Sequence, residues 1–147
     1  MHQYSKLWVH LVFSTLERRP LLEEPLAGRV HRYLAGVARN LGCDSIEVGG
    51  HLDHVHCLMW RPPTLPEAEL VGKLKANSSR WVRQEDPRMK RLFAWQRGYG
   101  AFSVSESNTR AVVEYIRGQP EHHRKISFED ELRRLFERHG LEVDGTG

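Results

Sequence analysis

The apolar positions of this chain change period from one segment to the next. In "KLWVHLVFST" (6–15) Leu7, Val9, Leu11 and Phe13 alternate with other residues, the period of a strand with one face on a core. "PLAGRVHRYLAGVARNLG" (25–42) instead spaces Leu26, Val30, Leu34, Val37 and Leu41 along one helical stripe, with Pro25 suited to the first turn and Gly42 to the stop. "DSIEV" and "LDHVHCLMW" read as two short strands, and Gly49-Gly50 between them predicts a hairpin turn. Beyond Pro62-Pro63 a second helix is predicted over roughly 65–84, with Thr64 and Glu67 as a capping box and Leu70, Val71, Leu74, Trp81 and Val82 as buried positions. "RLFAWQRGYGAFSVS" (91–105) is β-like, broken near Arg97-Gly98. "SNTRAVVEYIRGQ" (107–119) predicts a third helix that packs through Val112, Val113 and Ile116. "SFEDELRRLFERHG" predicts a fourth, capped by Ser127 and closed by Gly140. Strand, helix, hairpin, helix, strand and helix together predict an α+β domain, an antiparallel sheet with helices packed against it.

Composition narrows the class of protein. With 147 residues, 39% hydrophobic and 28% charged, the chain is expected to fold as one domain, 1–147, with a core of its own. An excess of Lys and Arg over Asp and Glu, 22 to 19, and a pI near 9.1 favour an anionic partner. Cys43 and Cys57 form no CxxC pair, which fits a reducing compartment. The opening "MHQYSKLWVHLVFST" lacks the basic flank and long apolar run of a signal peptide, and no stretch reaches membrane-spanning length. The expectation is a cytoplasmic protein with no membrane partner.

Two groups of residues suggest chemistry. His54 and His56 stand two apart on a strand, so both project from one face while Val55 and Cys57 point into the core. Two imidazoles on a rigid face can chelate a divalent ion, although two histidines on a solvated face would show the same spacing. Tyr115 and Gln119 are four apart and share one face of the third helix. A phenol can attack phosphorus where a metal stabilises the charge on the phosphate, and a glutamine carbonyl could complete the coordination. Lys73, Lys75, Arg80 and Arg83 form a basic face on the second helix that could follow a phosphate backbone or simply be solvated. His10, His122 and His123 could reach the polar side of the sheet or touch DNA, and Trp81, Trp95 and Tyr99 could stack bases or pack. No P-loop is present, since "EAELVGK" has Glu67 in place of the first glycine and Leu74 after the lysine.

Taken together, "HVHCLMW" and "YIRGQ" resemble the His-hydrophobic-His and tyrosine-x-x-x-glutamine motifs of the single-tyrosine HUH transposases, the small enzymes of bacterial insertion sequences that include the REP-associated tyrosine transposases. "WVHLVFST", "WQRGYGAFSVS" and "QPEHHRKISFEDE" extend the likeness over most of the chain. The resemblance implies a ferredoxin-like sheet. It implies Mg²⁺ or Mn²⁺ on His54 and His56 with Gln119 as third ligand. Tyr115 would be the nucleophile that leaves a 5′-phosphotyrosine link and a free 3′-hydroxyl. It further implies a homodimer that acts on single-stranded DNA with hairpin ends, and a site in which the histidines of one subunit meet Tyr115 and Gln119 of the other. Gly118 and Pro120 predict a break in the helix beside Gln119. Two rivals are a domesticated, non-catalytic binder of structured single strands and an HUH replication initiator or relaxase. The intact motif pairs argue against the first, and the short chain against the second.

Overall fold

The computed structural model describes residues 4–141. Its four strands are β1 (Trp8–Ser14), β2 (Asp44–His51), β3 (His54–Trp60) and β4 (Gly100–Val104), and its helices are α1 (Leu26–Asn40), α2 (Glu67–Glu85), α3 (Thr109–Arg117), α4 (Gln119–His122) and α5 (Phe128–Arg138). The strands form one antiparallel sheet in the order β2-β3-β1-β4. With α1 between β1 and β2, and α2 between β3 and β4, this is the ferredoxin-like α+β arrangement.

Strand alternation divides the sheet into two faces. Val9, Leu11 and Phe13 of β1 and Val55, Cys57 and Met59 of β3 share a core with Leu26, Val30 and Leu34 of α1 and Leu70, Leu74 and Val82 of α2. The intervening residues point to the other side, where Val12 joins Phe102 of β4 and Phe128 and Leu135 of α5 in a second, smaller cluster. Thus α1 and α2 cover one face, and the elements after β4 cover the other. His10, His54 and His56 lie on that second face, and all are buried.

Three local features differ from the sequence-based expectation. Gly49 and Gly50 lie inside β2, and the hairpin turns at Leu52-Asp53. These glycines serve close approach rather than a turn: a Cβ on Gly50 would stand 2.2 Å from the carbonyl oxygen of His54. Thr64 does not cap α2, whose N-cap is Pro66 with no side-chain bond. Of the 91–105 segment only β4 is a regular strand, while Trp95 forms an isolated bridge to Thr15. The predicted break after α3 is present, with Gly118 between α3 and α4 and Pro120 in the first turn of α4, where its missing N–H costs nothing. Ser127 caps α5 by accepting a hydrogen bond from the Asp130 N–H at 3.1 Å. Among the described residues no helix is long and apolar enough to cross a membrane.

Candidate metal and nucleophile centre

Register builds the centre. In the β1–β3 ladder His56 lies opposite Val12 and His54 opposite Ser14, so both imidazoles emerge beneath the helices that follow β4. Each ring is held from behind. The Nδ1 of His54 is 2.7 Å from Asp53 Oδ1, and that of His56 is 2.8 Å from His10 Nε2. A carboxylate behind an imidazole fixes its tautomer and aims the far nitrogen, the arrangement found behind metal-ligating histidines. Phe128 stacks on the His54 ring with centroids 4.0 Å apart, closing that side to water.

The other half arrives from α3, α4 and α5. Gly118 ends α3, and the chain re-enters a helical turn that swings Gln119 inward, fully buried, with Oε1 2.8 Å from His54 Nε2. One turn later His123 brings its Nε2 to 3.0 Å from the same oxygen, and its Nδ1 lies 2.8 Å from the Ile126 carbonyl. Glu131 of α5 occupies the middle. Its Oε1 lies 3.0 Å from His56 Nε2 and 3.1 Å from His123 Nε2, and its Oε2 accepts hydrogen bonds from the Tyr115 hydroxyl and, at 2.6 Å, from Gln119 Nε2.

Burial and charge set the protonation of these groups. Burial, reinforced by His56, pulls His10 down to about 3, and burial pulls His56 down to about 4 against the pull of Glu131. Burial opposes charge on His54 as well, but the bonds to Asp53, Glu131 and Gln119 outweigh it and raise its pKa. Glu131 is held well below the ordinary carboxylate range, because His54 and His56 outweigh the cost of its burial. Burial and the neighbouring carboxylate together push the Tyr115 phenol above its ordinary value. The phenol is therefore neutral at rest, with its proton directed at a carboxylate.

His54, His56, Tyr115 and Gln119 all meet within one chain. The resemblance implied a site shared between two subunits, and in this structure the tyrosine and the histidines of one chain lie together. His10, open as a candidate, is the support behind His56. His123 and Glu131 are the additions: each offers a ligand atom that, with one from His54, falls within 4.8 Å of the others. Glu131 had a sequence signal. It interrupts the buried stripe of α5 between Phe128 and Leu135, and a charge on an apolar face needs a buried partner.

The basic residues of α2 lie elsewhere, on a helix of the opposite face. Lys75 bonds the Gln96 and Gly98 carbonyls, Arg83 bonds the Phe93 carbonyl, Lys73 pairs with Glu69, and Arg80 with Asn77. Trp95 packs edge-on against Phe13 and Phe93, and Trp81 stacks on Tyr33. On the centre's side, a cleft of about 530 Å³ opens between the end of β1, the loop before β4 and α5, with Arg18, Arg97 and Arg133 on its rim and Tyr99 and Phe128 in its walls.

A ferredoxin-like sheet that displays a His-x-His pair beneath a helix-borne tyrosine defines a class of small single-tyrosine, histidine-pair proteins. Comparison with known proteins gives the family. The chain belongs to the IS200-like transposases, whose family pattern matches residues 3–119. A candidate transposase from Deinococcus radiodurans R1 is similar in structure, with a TM-score of 0.67, 25% identity, and coverage of 82% of this chain and 95% of that one. A REP-associated tyrosine transposase bound to a REP hairpin shares the fold at a TM-score of 0.59 and 17% identity, covering 97% of this chain and 89% of the other. No curated protein matches the chain.

Proposed function

We propose that this transposase nicks and rejoins single-stranded DNA at hairpin ends, using Tyr115 as nucleophile beside a divalent metal centre. The observation that carries the reading is the carboxylate of Glu131, which touches the tyrosine hydroxyl on one oxygen and the histidine cluster on the other. Nucleophile and ligand set are thereby held as one unit. The donors fit a divalent ion such as Mg²⁺ or Mn²⁺: nitrogens of His54 and His123 and a carboxylate oxygen of Glu131 converge, with the Gln119 amide oxygen between the two rings and His56 Nε2 on the far side of the carboxylate.

When bound, the ion supplies Lewis-acid stabilisation of the charge that grows on the scissile phosphate. The chain's own residues do the rest. His54 and His56, set by Asp53 and His10, present their outer nitrogens from a rigid strand, and Gln119 offers its amide oxygen. As the Tyr115 oxygen bonds to phosphorus, the bond from phosphorus to the 3′-oxygen breaks. The phenolic proton has an acceptor in Glu131 Oε2, and the departing oxygen takes a proton from solvent to become a 3′-hydroxyl. The 5′-phosphotyrosine link conserves the phosphodiester, so the reverse attack by a 3′-hydroxyl rejoins strands without a nucleotide cofactor. The arginine-rimmed cleft, separated from His54 by Phe128, suits a nucleic-acid backbone on the same side of the sheet, and the hairpin held by a protein of the same fold supports a folded single strand as substrate. Chemistry on a folded single strand that rejoins through a homodimer remains within this reading.

The test is covalent capture. A single-stranded hairpin oligonucleotide incubated with the protein and Mn²⁺ or Mg²⁺ should give an adduct that survives denaturing electrophoresis, and EDTA should prevent it. Tyr115→Phe should abolish the adduct while leaving hairpin binding intact, because a single oxygen is removed. An undiminished adduct from that variant would place the nucleophile elsewhere.

A further inference from the structure

The side chains of the centre turn ligand atoms toward one another from β3, α4, α5 and the turn after α4. The Nδ1 atoms of His54 and His123 face Asp53 Oδ1 at 2.7 Å and the Ile126 carbonyl at 2.8 Å, groups that can only accept. Each Nδ1 is thereby taken up by an acceptor at the edge of the centre, and each Nε2 is the ring atom turned inward. Gln119 is oriented too. Its NH₂ group donates to Glu131 Oε2 at 2.6 Å, which leaves its carbonyl oxygen as the inward atom. The result is a ring of ligand atoms: Gln119 Oε1 at 2.8 Å from His54 Nε2 and 3.0 Å from His123 Nε2, and Glu131 Oε1 at 3.3, 3.0 and 3.1 Å from the Nε2 atoms of His54, His56 and His123. A multiply coordinated cation serves all of them.

We propose that His123 and Glu131 are themselves ligands of the divalent ion, so that the centre comprises His54, His56, His123, Gln119 and Glu131 and is completed by the C-terminal helix. This rests on the reading of the centre as a metal site and goes beyond its pair of strand histidines and glutamine. Oε1 of Glu131 is the coordinating atom, since the nitrogens surround it. Oε2 stays on Tyr115 and Gln119, so the same carboxylate positions the nucleophile beside the ion. A set rich in imidazole suits Mn²⁺ better than Mg²⁺, which favours oxygen donors and retains its waters.

Mn²⁺ alone, without DNA, is the probe. Titration of the EDTA-stripped protein, followed by loss of the free Mn²⁺ electron paramagnetic resonance signal, should show one site. Glu131→Gln and His123→Ala should each weaken it at least tenfold, whereas Glu129→Gln, an exposed carboxylate on the same helix, should leave it unchanged. Pulsed resonance on Mn²⁺-loaded wild-type protein should count three imidazole nitrogens, a readout independent of how well any variant folds. If wild-type protein binds Mn²⁺ and His54→Ala does not, but Glu131→Gln binds as tightly or more tightly, the carboxylate is a stopper in the ion's place and this proposal falls while the metal site stands. Two coordinated imidazoles in place of three would likewise overturn it. Failure of the wild-type protein to bind Mn²⁺ would overturn both this inference and the metal-dependent reading.

Discussion

Gly49 of β2 lies directly beneath Ile116 of α3: a Cβ built on the glycine would stand 2.8 Å from Ile116 Cγ2 and 2.9 Å from the Ile116 carbonyl oxygen. Ile116 follows the tyrosine, so the missing side chain sets how closely the tyrosine helix approaches the sheet. Gly49→Ala has no room without moving α3, because one of the obstructing atoms is backbone. Overpacking of this kind costs about 1–3 kcal/mol. The expected outcome is a lower melting temperature together with a loss of covalent adduct larger than the loss of hairpin binding. An adduct yield equal to wild type would show that Tyr115 tolerates displacement of its helix.

The two thiols give an independent check on the sheet's covered face. Cys57 is fully buried, and burial pushes its thiol up to about 12, while Cys43 is buried and also raised. Alkylation needs the thiolate, which at pH 8 is a vanishing fraction for a pKa near 12. Native protein at pH 8 should therefore react slowly with a thiol reagent at Cys57, and both cysteines should react at once in denaturant. Rapid labelling of Cys57 in the native state would contradict its placement on β3 facing the α1–α2 layer.

Which parts of this arrangement were legible in sequence follows from the range of the interactions. Alternation in β1 and β3 is local, so the strands and the shared face of His54 and His56 could be read from their own neighbours. The Gly118-Pro120 break was readable for the same reason, since backbone restriction acts on adjacent residues. Gly49-Gly50 misled because a glycine pair suits either a turn or a close approach: Gly50 is set by the His54 carbonyl across the hairpin, and Gly49 by Ile116, far along the chain. Glu131 reaches His56 across 75 residues. Its sole local sign was a charge between Phe128 and Leu135 on a buried stripe. His123 gave less, because nothing near it in sequence reveals that a turn after Gln119 folds it inward.

Salt dependence should separate the two basic surfaces. The cleft carries Arg97 and Arg133 on the same side of the sheet as the centre, whereas Lys73 and Arg80 belong to α2 on the opposite side. Each phosphate contact on a single strand contributes about 0.7 to the slope of log affinity against log salt. Replacing Arg97 and Arg133 with alanine should flatten that slope by about 1.4, at about 0.7 for each lost contact. Replacing Lys73 and Arg80 should leave it unchanged. The reverse result, measured by fluorescence anisotropy with a hairpin oligonucleotide over a salt series, would route the strand along α2.

Tyr115 packs edge-on to His56 of the same chain with ring centroids 5.5 Å apart, and its hydroxyl bonds to a carboxylate that also faces that histidine. A site assembled in this way predicts cleavage by each chain with its own tyrosine. Tyr115→Phe and His54→Ala should each be inactive, the first for want of a nucleophile and the second for want of a ligand. Exchange of tyrosines between two copies would pair the intact histidines of one variant with the intact tyrosine of the other and rebuild a working centre. Cutting within one chain leaves both centres broken, whether the protein is a dimer or a monomer. Co-expression of the two variants under different tags, purification of any mixed species and assay of hairpin cleavage should therefore recover no activity. Recovery approaching half that of wild type would mean that the α3–α4 break at Gly118 lets the tyrosine helix leave its own histidines and serve a second copy.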